Sequence, residues 1–152
     1  SDICQASIWD LFAGTGSVSL EALSRGARFA KLSDNNRNAI QTIRENLAHT
    51  RLEELARVIK GDAFALLRGR PDQEFDYIYI APPQYKEMWI QAMQLLDENP
   101  GWLAENGWIV VQIHPREYKD LELVHFEVID ERKYSNTLLV FYEKKSPAQS
   151  EN

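Results

Sequence analysis

Cysteine and long apolar runs are nearly absent from this sequence. Among its 152 residues there is one cysteine, Cys4, which excludes an intrachain disulfide, a cysteine-rich zinc site and a CxxC redox motif. No apolar stretch approaches the roughly 20 residues of a membrane-spanning helix, and the opening SDICQAS lacks the basic and apolar regions of a signal peptide. We therefore expect a soluble, cytoplasmic protein with no membrane or metal partner.

Positive charge is also scarce: the sequence has 17 Lys and Arg residues and 23 Asp and Glu residues, which gives a net charge of −6. This balance argues against a protein that coats nucleic acid indiscriminately, since such binding depends on phosphate neutralisation, but it allows a local basic patch. With 44% hydrophobic residues the chain can bury one core. We expect a monomer with a single domain over residues 1–145 and a disordered polar tail at 146–152. Since the chain begins with Ser1 and a strand follows almost at once, we expect an excised part of a longer protein.

Apolar strand segments alternate with helical patterns along most of the chain, which predicts an α/β fold with a mostly parallel sheet. One helix is predicted from a cap at Asn35 or Asn36, and another over residues 86–97. Residues 124–145 contain two β-branched and aromatic runs around Tyr-Ser-Asn, which predict an antiparallel pair that ends the sheet. The five earlier strands are predicted at residues 7–12, 28–33, 56–61, 77–81 and 108–113.

The segment DLFAGTGS, residues 10–17, lies between the first predicted strand and a helix. Gly14 and Gly16 allow a sharp turn and a close approach of a ligand to the backbone, and the following helix start presents free amides. The pattern therefore indicates a cofactor site, although a tight connection without a ligand has the same pattern. The spacing resembles the dinucleotide fingerprint, but Ser19 occupies the place of its third glycine.

Two acids follow the next two predicted strands. Asp34 lies 18 positions after Gly16, where a carboxylate can accept hydrogen bonds from both hydroxyls of a ribose. Asp62, in the segment GDA, can accept a hydrogen bond from an adenine amino group. Either acid can instead cap the helix that follows it. Three polar groups on successive strand ends nevertheless favour a nucleotide site along this edge of the sheet.

DLFAGTGSVSLEALSRGA, the acid in LSDNNRNAIQTIRENL, the GDA segment, the strand-end Pro-Pro and the final KYSNTLLVFYEK together resemble the RsmD-type 16S ribosomal RNA guanine-N2 methyltransferases. The resemblance covers nearly the whole chain. It implies a Rossmann-like class I fold that binds S-adenosylmethionine, with a seven-stranded sheet, one antiparallel strand and helices on both faces. It further implies that 16S rRNA, or a small-subunit assembly intermediate, is the partner. The implied cofactor residues are Asp10, Gly14 and Gly16 around the methionine part, Asp34 with Asn35 at the ribose, and Asp62 with Ala63 at the adenine.

The resemblance implies that residues 81–85, APPQY, form the catalytic segment. Members of this family usually carry Asp or Asn before the two prolines and Tyr after them, whereas this chain has Ala81 and Gln84. Family members also have an N-terminal extension with a hairpin before the first strand, which this sequence lacks. Ala81 has no side-chain acceptor for an exocyclic amine, so only the carbonyls around Pro82 and Pro83 remain for this contact.

Several other side chains are candidates for RNA recognition. Gln84 can read a base edge, and Tyr85 or Trp89 can stack on a flipped base, although Trp89 also fits the apolar face of its helix. His114 is expected to be a neutral solvated side chain. Five cations are candidates for a phosphate-facing patch or for scattered surface charge: Lys86, Arg116, Lys119, Arg132 and Lys133.

The sequence is compatible with three candidate functions. The first is an RNA base methyltransferase, with an activity that Ala81 lowers or shifts. The second is a catalytically silent module that binds cofactor and RNA, which Ala81 favours. The third is a nicotinamide-dependent oxidoreductase, which Ser19 and the APP segment disfavour.

Overall fold

The computed structural model describes residues 3–84 and 86–146 of the chain. Seven strands alternate with four α-helices and three short 3-10 turns. The helices are α1 (Ser17–Ser24), α2 (Arg37–Thr50), α3 (Ala63–Arg68) and α4 (Met88–Glu98). The strands are β1 (Ser7–Asp10), β2 (Phe29–Asp34), β3 (Ala56–Lys60), β4 (Phe75–Ile80), β5 (Leu103–Ile113), β6 (Phe126–Tyr134) and β7 (Thr137–Lys144).

The seven strands form one sheet in the order β3-β2-β1-β4-β5-β7-β6. β1 to β5 pair in parallel, while β7 is antiparallel to both β5 and β6. The predicted seven-stranded sheet with one antiparallel strand is therefore confirmed. The strand order reverses between β1 and β4, which is the place where doubly wound sheets bind ligands at the carboxyl ends of their strands.

Helices cover both faces of this sheet. Ile8 and Trp9 are neighbours on β1, so their side chains point to opposite faces. Ile8 packs in a core with residues of α1 and α2, such as Leu23 and Ile43. Trp9 packs in a second, larger core with residues of α3 and α4, such as Leu67. The helices α1 and α2 thus lie on one face and α3 and α4 on the other, as predicted.

Several element boundaries differ from the sequence prediction, and two of the differences have a clear cause. β5 begins at Leu103, five residues before the predicted start, because Leu103 pairs with Phe75 before an irregularity at which β5 carries extra residues. α4 begins at Met88 rather than at Lys86, because Glu87 has a left-handed backbone with φ of 52°. The polar tail predicted at residues 146–152 lies outside the described residues, apart from Ser146. In the described part of the chain, no helix has the length and apolar character needed to cross a bilayer.

Candidate active site at the carboxyl ends of the strands

The glycine-rich segment forms a tight turn between β1 and α1, held by backbone hydrogen bonds. The Ala13 amide donates to the carbonyl of Ser33 on β2 at 2.9 Å, and the Gly16 amide donates to the Ala13 carbonyl at 2.8 Å. Beneath the turn, the Ser33 hydroxyl donates to the Leu11 carbonyl at 3.0 Å and accepts from Trp9 Nε1 at 3.0 Å. The turn is therefore fixed to the strand ends by hydrogen bonds within the protein.

The two glycines of the turn have different surroundings. Both have positive φ, 60° at Gly14 and 82° at Gly16, which disfavours any residue with a Cβ. A Cβ at Gly14 would meet no atom within 4 Å, whereas one at Gly16 would lie 3.2 Å from Leu32 Cδ2 and 3.3 Å from Ile43 Cγ1. Gly14 therefore offers an open approach to the backbone. At Gly16 the place of a Cβ lies against core side chains, so packing also requires glycine there, and its approach to a ligand stays a prediction.

Asp34 ends β2 with both carboxylate oxygens engaged by backbone amides. Its Oδ2 accepts from the Gly14 amide at 3.0 Å and its Oδ1 accepts from the Asn36 amide at 2.9 Å. The cap of α2 is Asn36, whose Oδ1 accepts from the amides of Asn38 and Ala39. Asp34 is therefore not the helix cap. Its carboxylate is held in one orientation, and each oxygen keeps a further lone pair for a ligand.

Asp62 follows β3 and caps α3, since its Oδ2 accepts from the Ala65 amide at 3.2 Å. The capping role that the sequence allowed is thus present. Asp62 also lines the cavity described below, together with its neighbour Ala63. One oxygen of this carboxylate holds the helix end while the other remains for a ligand, so the two roles are compatible.

Asp10, at the end of β1, lies beneath the turn rather than beside the cavity. It is 2% exposed, and its Oδ2 accepts from the Ser19 hydroxyl at 2.8 Å. Burial raises the pKa of Asp10 to about 6; the Ser19 hydrogen bond opposes this rise and the charge of Asp34 adds to it. Among the described residues that line the cavity, neither Asp10 nor Gly16 is found.

A cavity of about 480 Å³ opens at these strand ends, within the size range of small-molecule sites. It brings together Gly14, Asp34, Asn35, Asp62, Ala63, Ala81, Pro82 and Pro83, which the sequence predicted as site residues. The glycine turn, both acids and the Pro-Pro segment thus meet in one space, although they are up to 69 positions apart in the chain.

Three residues that the sequence did not indicate also line this cavity, Leu11, Phe12 and Met88, and so does Lys86, one of the five candidate cations. Phe12 makes an edge-to-face contact with Phe64, at 6.2 Å between ring centroids. Phe12 lies inside the glycine-rich segment, and this position could have identified it, because residues next to the turn glycines lie close to the same site. Lys86 brings a positive charge to the cavity wall.

The predicted base-stacking residues separate in the structure. Trp89 is fully buried on α4 and stacks on Tyr118, with 6.0 Å between the ring centroids, so the interpretation as a core residue is confirmed and a base-stacking role is wrong. Gln84 is exposed and is not among the described residues of the cavity wall. Tyr85 lies outside the described residues.

The five predicted cations do not gather at the cavity, where Lys86 is the only one among the described lining residues. Lys119 pairs with Glu87, and Arg132 pairs with Asp130. His114 caps the short 3-10 turn Pro115–Glu117, since its Nδ1 accepts from the Arg116 amide at 3.0 Å. His114 therefore has a structural role that the sequence did not indicate.

The sheet order is that of a Rossmann-like class I methyltransferase fold, and the cavity lies at the carboxyl ends of its strands. A solved structure described as "Putative methyltransferase yhhF from Escherichia coli" matches with a TM-score of 0.85 and 27% identity, over 94% of this chain and 78% of that one. A Haemophilus influenzae structure described as the "putative methylase HI0767" matches with a TM-score of 0.84 and 27% identity, over 95% of this chain and 89% of that one.

The chain belongs to the family described as "Conserved hypothetical protein 95", whose model matches residues 1–143, and it is of the RsmD type. "Putative rRNA methyltransferase YlbH" of Bacillus subtilis is 36% identical over 139 residues, which are 90% of this chain and 74% of that protein. "Ribosomal RNA small subunit methyltransferase D" of Escherichia coli is 35% identical over 112 residues, 72% of this chain. The match spans about half of that relative, 54% of its length.

The difference between the two glycines leads to a test. Gly14→Ala and Gly16→Ala should each cost about 1 to 2 kcal/mol for the positive φ. Gly16→Ala should cost about 1 to 3 kcal/mol more, because its Cβ presses on two buried core side chains. Urea unfolding of both variants measures this difference. Equal destabilisation would contradict the packing role of Gly16.

Proposed function

We propose that this protein is a cytoplasmic S-adenosylmethionine-dependent methyltransferase that modifies an exocyclic amino group of an RNA base, with guanine N2 of 16S rRNA as the target. One observation carries the proposal: the strand-end acids Asp34 and Asp62, the open glycine Gly14 and the Pro82-Pro83 segment line one cavity. The names of the curated relatives support ribosomal RNA as the substrate.

The residues of the cavity fit S-adenosylmethionine in order along the strand ends. Asp34 has the chemistry to accept from the ribose hydroxyls, because its oxygens are already oriented by the amides of Gly14 and Asn36. Asp62 and Ala63 fit the adenine, and Asn35, which lines the same cavity, fits the ribose. Gly14 lets the methionine part approach the backbone, and Asp10 and Gly16 support the turn from below.

The Pro-Pro segment fits a positioning role for the acceptor base. Bound in the cavity, the cofactor would supply an electrophilic methyl group for transfer to the amine nitrogen, and the proton of the amine would leave to water. No strong base is needed before attack, so holding the nitrogen in line provides much of the rate. Backbone carbonyls around Pro82 and Pro83 are the acceptors that orient the amine.

Ala81 weakens this positioning, because its methyl group accepts no hydrogen bond. A hydrogen bond to a charged group contributes about 1.5 to 3 kcal/mol, so its loss slows transfer by roughly ten- to a hundred-fold without abolishing it. The second candidate function is a catalytically silent module that binds cofactor and RNA, and Ala81 is the observation that favours it.

Lys86 is the described cation best placed for RNA, since it lines the cavity beside the prolines. Its ammonium can contact a phosphate that flanks a flipped base. We propose that the protein acts as a monomer on 16S rRNA or on an assembly intermediate of the small subunit.

Asp34→Ala should weaken the binding of S-adenosylhomocysteine by about 1.5 to 3 kcal/mol, because the contact between a charged acceptor and the ribose hydroxyls is lost. Isothermal titration calorimetry measures the affinity, and NAD, as a control ligand, should not bind the wild-type protein.

A 2′,3′-dideoxy analogue of the same ligand separates this contact from a general disturbance of the turn. It should bind wild type and Asp34→Ala with similar affinity, because neither complex contains the hydroxyl–carboxylate pair. Unchanged affinity of Asp34→Ala for the normal ligand would remove Asp34 from the site.

Ala81→Asp should raise methyl transfer to unmodified 16S rRNA by roughly ten-fold or more, because it restores an acceptor for the target amine. Transfer of labelled methyl groups measures the rate. Ala81→Val is the matched control, since it changes the same side chain without adding an acceptor, and it should not raise the rate.

Two other outcomes of this assay have defined meanings. If Ala81→Asp is neutral or harmful while Gln84→Ala abolishes transfer, Gln84 has taken over the contact with the base. If neither wild type nor Ala81→Asp transfers a methyl group although both bind cofactor, the methyltransferase function is wrong and the silent binding module is the function supported.

A further inference from the structure

A buried carboxylate and a buried hydroxyl connect the end of β1 to the first turn of α1. Asp10 Oδ2 accepts from Ser19 Oγ at 2.8 Å, and the nearby Ser19 backbone amide also favours the charged form of this carboxylate. Ser19 is fully buried and Asp10 is 2% exposed, so water does not compete for this hydrogen bond. The two residues therefore close the glycine-rich turn at its base.

This contact replaces a helix cap that α1 otherwise lacks. Gly16 at the N-cap provides no side-chain hydrogen bond, and the first turn of α1 contains no acidic residue. Ser19 is the third residue of the helix, where the backbone amide has no partner within the helix. Asp10 accepts from the Ser19 hydroxyl and supplies the negative charge that a helix N-terminus favours.

The charge of Asp10 is balanced between opposing influences. Burial and the nearby carboxylate of Asp34 on β2 disfavour the ionised form, and the pKa of Asp10 rises to about 6. The bonds from Ser19 on α1 favour the ionised form. On β4, Tyr79 is the other titratable group that interacts with Asp10, and its own pKa is raised to about 12, so it stays neutral below pH 10.

We propose that Ser19 is a positioning residue whose hydroxyl keeps Asp10 ionised beneath the glycine turn, so that the cationic methionine part of the cofactor binds above a buried negative charge. The inference rests on the proposed function, because it takes S-adenosylmethionine as the ligand. It also gives a physical reason for the departure from the dinucleotide fingerprint, whose third glycine carries no hydroxyl.

The sign of the pH dependence follows from linkage. A ligand that carries an ammonium group binds better when Asp10 is ionised, so its affinity falls as the pH falls through about 6. Ser19→Ala removes one hydrogen bond to the charged form and raises the Asp10 pKa further. The fall in affinity should then occur at a pH about one to two units higher than in wild type.

The test is the affinity for S-adenosylhomocysteine between pH 5.5 and 8.5 in wild type, Ser19→Ala, Ser19→Thr and Ser24→Ala. Ser24 is the matched control, because its hydroxyl also belongs to α1 but donates to the Glu21 carbonyl on the exposed side. Ser19→Ala should bind about ten-fold more weakly than wild type at pH 6 and within about three-fold of it at pH 8.5. Ser19→Thr keeps the hydroxyl and should restore the profile toward wild type, and Ser24→Ala should match wild type.

Methylthioadenosine distinguishes an electrostatic role of Ser19 from a structural one. It keeps the adenosine part but has no ammonium group, so Ser19→Ala should not move its pH profile. An equal displacement for both ligands, or an unchanged profile of Ser19→Ala with S-adenosylhomocysteine, would overturn the inference and leave the proposed function intact. No binding of either ligand to wild type at any pH would instead overturn the proposed function, and the inference with it.

Discussion

The short turn from β1 to α1 depends on a carboxylate buried where the surroundings disfavour its charge. Asp10 ends the interior strand β1, and the Ser19 hydroxyl holds it against the first turn of α1. On the other side of the turn, Asp34 accepts from the Gly14 amide. These two acids connect β1, β2 and α1, and the cavity opens above them. The geometry of the candidate site therefore follows from hydrogen bonds within the protein.

This arrangement costs stability in return for a fixed site. Because the pKa of Asp10 is raised from 3.8 to about 6, the native state binds the proton more tightly than the unfolded chain does. The free energy of unfolding therefore falls as the pH rises from about 4 through 6. At neutral pH, Asp10 is ionised and the whole of this loss is present. Such a carboxylate is typical of functional sites, where a charge is useful despite its burial.

The sequence predicts the sheet, the order of the site segments and most of the cavity wall, because each of these depends on local patterns. Alternating apolar segments predict the strands, and glycines and acids after strand ends meet at one edge by the rules of parallel sheets. The contact between Asp10 and Ser19 was not predictable, since it depends on the distance at which α1 packs on β1. The core position of Trp89 was ambiguous, because helical spacing suits both a packed and a base-stacking side chain.

The most direct test of this account is a crystal structure of the protein with S-adenosylhomocysteine. The account predicts the ribose hydroxyls at the Asp34 carboxylate, the adenine beside Asp62 and Ala63, and the amino-acid part over Gly14. A second cavity of about 480 Å³, at the carboxyl ends of α3 and α4, is lined by Arg68, Arg70 and Asn99. Ligand in that cavity, or ligand at the strand ends without contact to Asp34, would contradict the account.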